Sequence, residues 1–222
     1  MMIFTVGGIK GGTGKTTIAT NLTVWLAKQG LDVLLIDADD QETSTDFASW
    51  RNQSYSEYVK FTCIKLTGDA IRMNIENLKT KYDHIVIDTG GRDTTSQRSS
   101  LFSSDVYLLP FQPRSLDIWT ITKVDKLLAE IRSTKAKKLI AIGFLNRADI
   151  RSQDNRDTLE MLHEYKSLVF IEEKLSNRKA FANAAGMGLS VIELLPEDEK
   201  ASKELNTLFE VITEKVIEEL NN

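Results

Sequence analysis

The stretch KGGTGKTT, residues 10 to 17, stands between an apolar-leaning run, MIFTV, and a segment of helical spacing from Thr16 to Gln29. A strand that turns through clustered glycines straight into a helix leaves few folds open. Gly11, Gly12 and Gly14 let the backbone wrap closely without Cβ clashes, and the helix start directs unpaired N–H groups and a positive dipole end at one point. Such a point suits a phosphate chain, cradled by the backbone from Gly11 through Thr13 to Gly14. Lys15 is placed to reach the β- and γ-phosphates, the Thr16 hydroxyl to ligate Mg2+, and Thr17 to bond near the α-phosphate. The strict pattern G-x-x-x-x-G-K-[ST] needs glycine at position 9, where this chain has Ile9, and a second lysine, Lys10, precedes the glycines. Spacing alone makes Lys10 an exposed turn residue.

Strand-like runs recur along the chain: DVLLIDAD, KFTCIKL, DHIVIDT, DVYLLPF, KLIAIGFLN and, later, SLVFI. Between them lie segments of helical period at Asp69 to Tyr82, Asp117 to Arg132 and Asp154 to Tyr165. Strand–helix alternation predicts an α/β fold, a doubly wound and mainly parallel sheet with helices on both faces. Ligands then sit beyond the carboxyl ends of the strands. The phosphate loop, Asp37 and Asp39 after DVLLI, and Asp88 after HIVI should converge there. Asp88 suits direct or water-mediated Mg2+ binding, and Asp37 support of Mg2+ or of the loop lysine. A strand-end acid that caps the next helix is the competing reading, and it is assigned to Asp40 and Asp93.

The length of 222 residues suits one domain, residues 1–222, with no added helix-turn-helix unit at the amino end. With 41% apolar and 27% charged residues, no stretch is long enough to cross a bilayer. The amino terminus shows no secretory pattern, so a cytoplasmic location is expected. The single cysteine, Cys63, excludes an intrachain disulfide or a multi-cysteine metal site and reads as a strand residue turned inward. His84 and His163 read as structural or surface residues. Charge is uneven: residues 193–222 carry nine acidic and three basic side chains, a net of −6 within a chain total of −4, which leaves +2 on residues 1–192. The body of the chain can therefore meet a polyanion despite an acidic pI.

Beyond the loop, VLLIDADDQETST, YDHIVIDTGG, LLPFQPRSLDIWT, GFLNR and LSNRKAFANAAGMGLSVIEL resemble successive motifs of the ParA/MinD family of deviant Walker ATPases, and the chain looks most like its small ParA-type partition members. The resemblance implies ATP and Mg2+ as cofactors and a phosphate chain sandwiched between two protomers. Lys10 would then reach the partner's nucleotide and Asp39 would orient the attacking water, making Lys10, Lys15 and Asp39 the catalytic candidates. Slow hydrolysis by positioning and charge is expected, with no covalent intermediate. Asn146 and Arg147, with the Pro110 to Pro113 turn, are similar to positions lining an adenine pocket, and a capping role for Asn146 is the alternative.

Membrane-docking relatives end in a basic amphipathic helix, whereas ELNTLFEVITEKVIEEL is amphipathic and acidic. One cysteine cannot bridge a cluster as in the nitrogenase iron proteins, and the terminal tyrosine cluster of the related kinases is absent from the sequence. There remains a ParA-type ATPase that, on the resemblance, forms a homodimer with ATP and binds DNA without sequence preference on the nucleoid. A ParB-like centromere-binding adaptor would stimulate hydrolysis. Lys174, Arg178 and Lys179 are candidate DNA phosphate contacts, with Arg147 and Arg151 as weaker ones. An ATPase that positions a protein assembly, or an ATP-dependent ligase with a second small-molecule pocket, are the alternatives.

Overall fold

The computed structural model describes residues 1–54, 57–113, 118–149, 162 and 165–222. Seven strands form one sheet in the order β3-β2-β4-β1-β5-β6-β7, with every neighbouring pair parallel. They are β1 (Met2–Val6), β2 (Val33–Asp37), β3 (Thr62–Lys65), β4 (His84–Asp88), β5 (Val106–Phe111), β6 (Ile140–Ala148) and β7 (Val169–Ser176). The helices between them are α1 (Lys15–Lys28), α2 (Thr43–Ser54), α3 (Ala70–Leu78), α4 (Thr95–Ser103) and α5 (Ile118–Thr134). After β7 come α6 (Lys179–Gly186), a 3-10 turn (Val191–Glu193) and α7 (Glu199–Asn221). The helix expected at Asp154 to Tyr165 lies mostly outside the described residues.

Alternation along the strands divides the core. Val33 and Leu35 of β2, Val86 of β4, and Val106 and Leu108 of β5 face α1 and α7, where they meet Ile18, Leu22, Leu205 and Phe209. Leu34, Ile36, Ile85 and Ile87 turn the other way, against Ile71 and Ile75 of α3. Tyr107, Leu109 and Phe111 face Ile121, Val124 and Leu128 of α5. Both faces of the central strands are apolar because both are covered. Edge strand β3 is part-exposed, and its Cys63 thiol is half-buried and donates to the Ser44 carbonyl at 3.8 Å. Burial, with Asp37 nearby, pushes that thiol up to about 12, so it is unreactive at neutral pH.

Leu205, Leu208, Phe209, Ile212 and Val216 of α7 are buried on this core, which accounts for the period of an otherwise acidic helix. His84 sits at the start of β4 and accepts from the Met2 backbone N–H at 3.3 Å, a structural contact. Helix α2 carries little amphipathic signal in the sequence: it buries Ser44, Phe47, Ala48 and Arg51 and no continuous apolar stripe. An ion pair anchors it. The Arg51 guanidinium donates to both Glu193 oxygens, at 2.7 and 2.8 Å, with both side chains almost fully buried. Its remaining donors take the carbonyls of Val59 and Gly188, and Tyr58 and Phe61 flank it. A charge this deep persists only when every donor is satisfied. Among the described residues, no helix is long and apolar enough to cross a membrane.

Candidate nucleotide-binding site

Strand β1, fourth of seven in the sheet, runs into the glycine loop at its carboxyl end. Gly12 and Gly14 adopt φ values of 80° and 88°, a left-handed backbone that side-chain-bearing residues rarely take. Gly14 is the N-cap of α1, so no side chain caps the first turn, and that turn contains no acid. The helix start is thus left for an anion. Lys15, 7% exposed, folds back so that its Nζ donates to the Lys10 carbonyl at 3.1 Å, as though spanning the loop. Burial lowers its pKa, and the nearby Asp88 and Asp39 carboxylates oppose that shift. The Lys10 side chain is half-buried beside the loop.

Asp37 and Asp88 are register partners at the carboxyl ends of β2 and β4. They have different surroundings. Both oxygens of Asp37 are engaged: Oδ2 accepts from the Thr45 N–H and hydroxyl at 2.8 and 2.9 Å, and Oδ1 from the Asp39 N–H at 3.2 Å. It thereby holds the start of α2. Asp88 accepts from the Ser44 hydroxyl at 2.8 Å through Oδ2, while Oδ1 is buried without a partner. Burial pushes its carboxyl up to about 7, against the pull of Thr16, Ser44 and Lys15. A buried carboxylate oxygen with nothing to bind, beside a phosphate loop, is what a cation or its water would satisfy. The Thr13 hydroxyl, also buried in the loop, is likewise without a partner. Among the described residues no group of three or more His, Cys, Asp or Glu side chains could hold a metal. A cation here would take its other ligands from Thr16, phosphate and water, the usual arrangement for Mg2+. The residues present fit Mg2+ with a nucleoside triphosphate.

Asp39 is part-exposed at the mouth of the site, and its Oδ1 accepts from the Gln41 N–H at 3.3 Å. Gly90 and Gly91, which the sequence reading passed over, press against the machinery: a Cβ on Gly90 would stand 3.2 Å from Asp39 Oδ1. A Cβ on Gly91 would stand 2.7 Å from Gly11 Cα and 2.8 Å from Gly11 N. The signal is the glycine pair that follows Thr89 in HIVIDTGG. Gly91→Ala should displace the loop and weaken nucleotide binding by about tenfold or more, since small misplacements of a positioned site are costly. Titration with a fluorescent ATP analogue measures this, and unchanged affinity would show that the loop tolerates the shift.

Asn146 and Arg147 lie behind the loop. Asn146 Nδ2 donates to the Thr13 carbonyl at 2.7 Å and Arg147 Nη1 to the Gly12 carbonyl at 2.9 Å, with Arg147 at φ 54°. As placed they brace the cradle. Gly14 has to be glycine here, because a Cβ would stand 2.3 Å from Asn146 Nδ2. The DNA candidates separate by pairing. Arg178 is held by Glu204 at 2.6 and 3.1 Å, and Glu204 also accepts from the Ser176 N–H and hydroxyl. Lys174 and Lys179 are exposed. Lys200 and Lys203 of α7 join Lys174 around the same shallow groove, which sequence spacing did not suggest. Arg151 lies outside the described residues. Asp93 binds Arg98 bidentately at 2.7 Å through each oxygen, and Asp40 is exposed.

A parallel sheet whose central strand runs into a phosphate-sized cradle defines the P-loop nucleotide-binding class. The chain belongs to the CobQ/CobB/MinD/ParA nucleotide-binding family, whose model matches residues 4–206, and within it is a ParA/MinD-type ATPase. It is 27% identical over 204 residues to the maintenance of carboxysome distribution protein A of Halothiobacillus neapolitanus, covering 91% of this chain and 92% of that one. A putative plasmid partition protein of Borrelia burgdorferi B31 bound to AMPPNP superposes with a TM-score of 0.75 at 18% identity, over 96% of this chain and 99% of that one. The Cyanothece McdA–ATP complex gives a TM-score of 0.77 at 16% identity, over 96% of each chain.

Proposed function

We propose that this protein is a ParA-type partition ATPase in which Mg-ATP closes a homodimer that binds DNA without sequence preference, and hydrolysis stimulated by a ParB-like adaptor releases it. The observation that carries the reading is the cradle itself: an uncapped helix start, a buried Lys15 and a buried Asp88 oxygen without a partner meet at one point. Lys15 binds the terminal phosphates. Thr16 and Asp88 would hold Mg2+, which when bound neutralises phosphate charge, and Asp37 keeps the start of α2 in place beside them. Asp39, at the open side, orients the attacking water, and Lys10 reaches the nucleotide of the second protomer. Asn146 and Arg147 fix the loop from behind, and Asn146 reaches the base only if its carbonyl oxygen does so while its amide stays on Thr13.

Exposed Lys174 and Lys179, with Lys200 and Lys203 alongside, support a DNA surface; Arg178, held by Glu204, orients the segment that carries Lys179. Two such surfaces joined by dimerisation raise affinity for one duplex, which ties DNA binding to nucleotide state. The likeness to a carboxysome distribution protein supports a second reading of the cargo, a protein assembly carried on the nucleoid in place of a plasmid or chromosome. The chain as a whole is then cytoplasmic, as one unit over residues 1–222.

The test is sedimentation and filter binding with arbitrary duplex DNA. With Mg-ATP the protein should dimerise and bind DNA, with affinity falling at least tenfold between about 50 and 200 mM salt. Lys174→Glu with Lys179→Glu should remove DNA binding and leave dimerisation. A dimer that ignores DNA at low salt would refute the partition reading and favour an ATP-dependent ligase.

A further inference from the structure

At the amino-terminal ends of β1, β5 and β6, the opposite end of the sheet from the phosphate loop, lies a cavity of about 720 Å3. That size falls within the ~300–1,000 Å3 range of ligand-binding clefts. Its floor is apolar: Ile3, Ile75, Phe102, Val106, Ile140 and Val216. Its rim is cationic, with Arg72, Lys79, Lys135, Lys137 and Lys138 against two acids, Glu76 and Asp105, on a chain whose net charge is −4.

Several of these charges are already committed. Lys79 pairs with Glu76, and Lys138 pairs with Glu219 at 3.0 Å. Asp105 accepts from the Ile3 N–H at 2.9 Å. Lys135 donates to the carbonyls of Leu101 and Phe102 at 3.3 and 2.7 Å, closing the end of α4. Arg72 and Lys137 are exposed and have no carboxylate partner among the described residues. The Arg72 guanidinium lies 3.9 Å over the Phe102 ring, which fixes a planar donor at the mouth of an apolar floor. Of the eight large apolar side chains left exposed among the described residues, four lie on the elements around this cavity: Met1, Met73, Ile217 and Leu220. An apolar hollow with an apolar border and two unpaired cations is incomplete as a free surface.

We propose that this cavity docks an acidic, amphipathic helical segment of a partner protein, with apolar anchors on its floor and carboxylates on Arg72 and Lys137. Charge complementarity selects this occupant. A flat anionic membrane fits a hollow of this depth poorly, whereas a single segment can lay apolar side chains on its floor while its carboxylates meet the rim. The phosphate loop is at the other end of the sheet, so docking is independent of nucleotide and does not rest on the partition reading.

The probe is a fluorescently labelled peptide about 18 residues long, enough to hold a helix, with leucines at i, i+3, i+4 and i+7 and glutamates on the flanks. Its control carries lysines in place of the glutamates. The acidic peptide should bind at least about tenfold more tightly than the control, with and without Mg-ATP. Arg72→Glu with Lys137→Glu, both at exposed positions, should weaken it by about tenfold or more and leave ATP turnover and the circular dichroism spectrum unchanged. Equal binding of the two peptides, no binding of the acidic one, or insensitivity to the double variant would overturn the proposal. So would flotation with phosphatidylglycerol vesicles that the double variant abolishes, which assigns the surface to a membrane, or nucleotide-free self-association that buries it.

Discussion

Lys15→Ala is expected to lower ATP affinity at least about 100-fold and to abolish nucleotide-driven dimerisation, because it removes the one buried cation aimed along the phosphate loop. Burial lowers the pKa of this lysine without a ligand, and the negative charge of a triphosphate would oppose that shift as the nearby carboxylates do. Lys10→Ala should act differently. Affinity of a single protomer for ATP should stay within a few-fold of the original, since Lys15 rests on the Lys10 backbone carbonyl, which the substitution keeps. Association of two protomers over a non-hydrolysable analogue should be lost. Equilibrium titration read beside analytical ultracentrifugation separates the two variants. If Lys10→Ala still dimerises and turns over normally, its reach across an interface is disproved.

Asp88→Asn should carry opposite effects on stability and chemistry. In the unliganded protein burial raises this carboxyl from its ordinary 3.8 to about 7. A group raised in the folded state contributes stability that is complete below the unfolded value and lost as pH climbs through the folded one. At pH 8 the wild-type protein therefore carries a buried carboxylate that costs on the order of 4 kcal/mol relative to the neutral amide. At pH 5 that difference shrinks to under about 2 kcal/mol. Thermal melts of the unliganded variant should thus rise above wild type, more so at pH 8 than at pH 5. Hydrolysis should fall at least about 100-fold, since an amide is a poor partner for Mg2+. A variant less stable than wild type at pH 8 would mean that Asp88 is ionised and well paired in the resting protein, which would remove it as the site awaiting a cation.

Much of the site was legible before the fold was known. The glycine loop could be read because its chemistry is local: Gly11 to Thr17 form the cradle from adjacent residues, and strand and helix flank it. The strand-end position of Asp37 and Asp88 was legible for the same reason, from the apolar runs VLLI and IVI. What separates the two acids was not. Thr45 and the Asp39 N–H occupy Asp37, while Asp88 keeps an oxygen unpaired, a distinction set by where α2 packs. Helix α2 itself was illegible as an amphipathic element because it is fastened by an ion pair and not by an apolar stripe.

The sequence by itself determined the phosphate loop, the alternation of strands and helices and the buried period of α7, since each depends on residues within a turn or two of one another. Tertiary structure alone decided that Arg51 finds Glu193, 142 residues away, that Asn146 holds the Thr13 carbonyl from 133 residues away, and that Glu204 ties down Arg178. It also decided that Gly91 abuts the loop and that Arg72 stands over Phe102 beside an apolar hollow. The physical reason is that periodicity and turn chemistry are written into neighbouring residues, whereas the partner of a buried polar group depends on which distant segments the sheet order brings together.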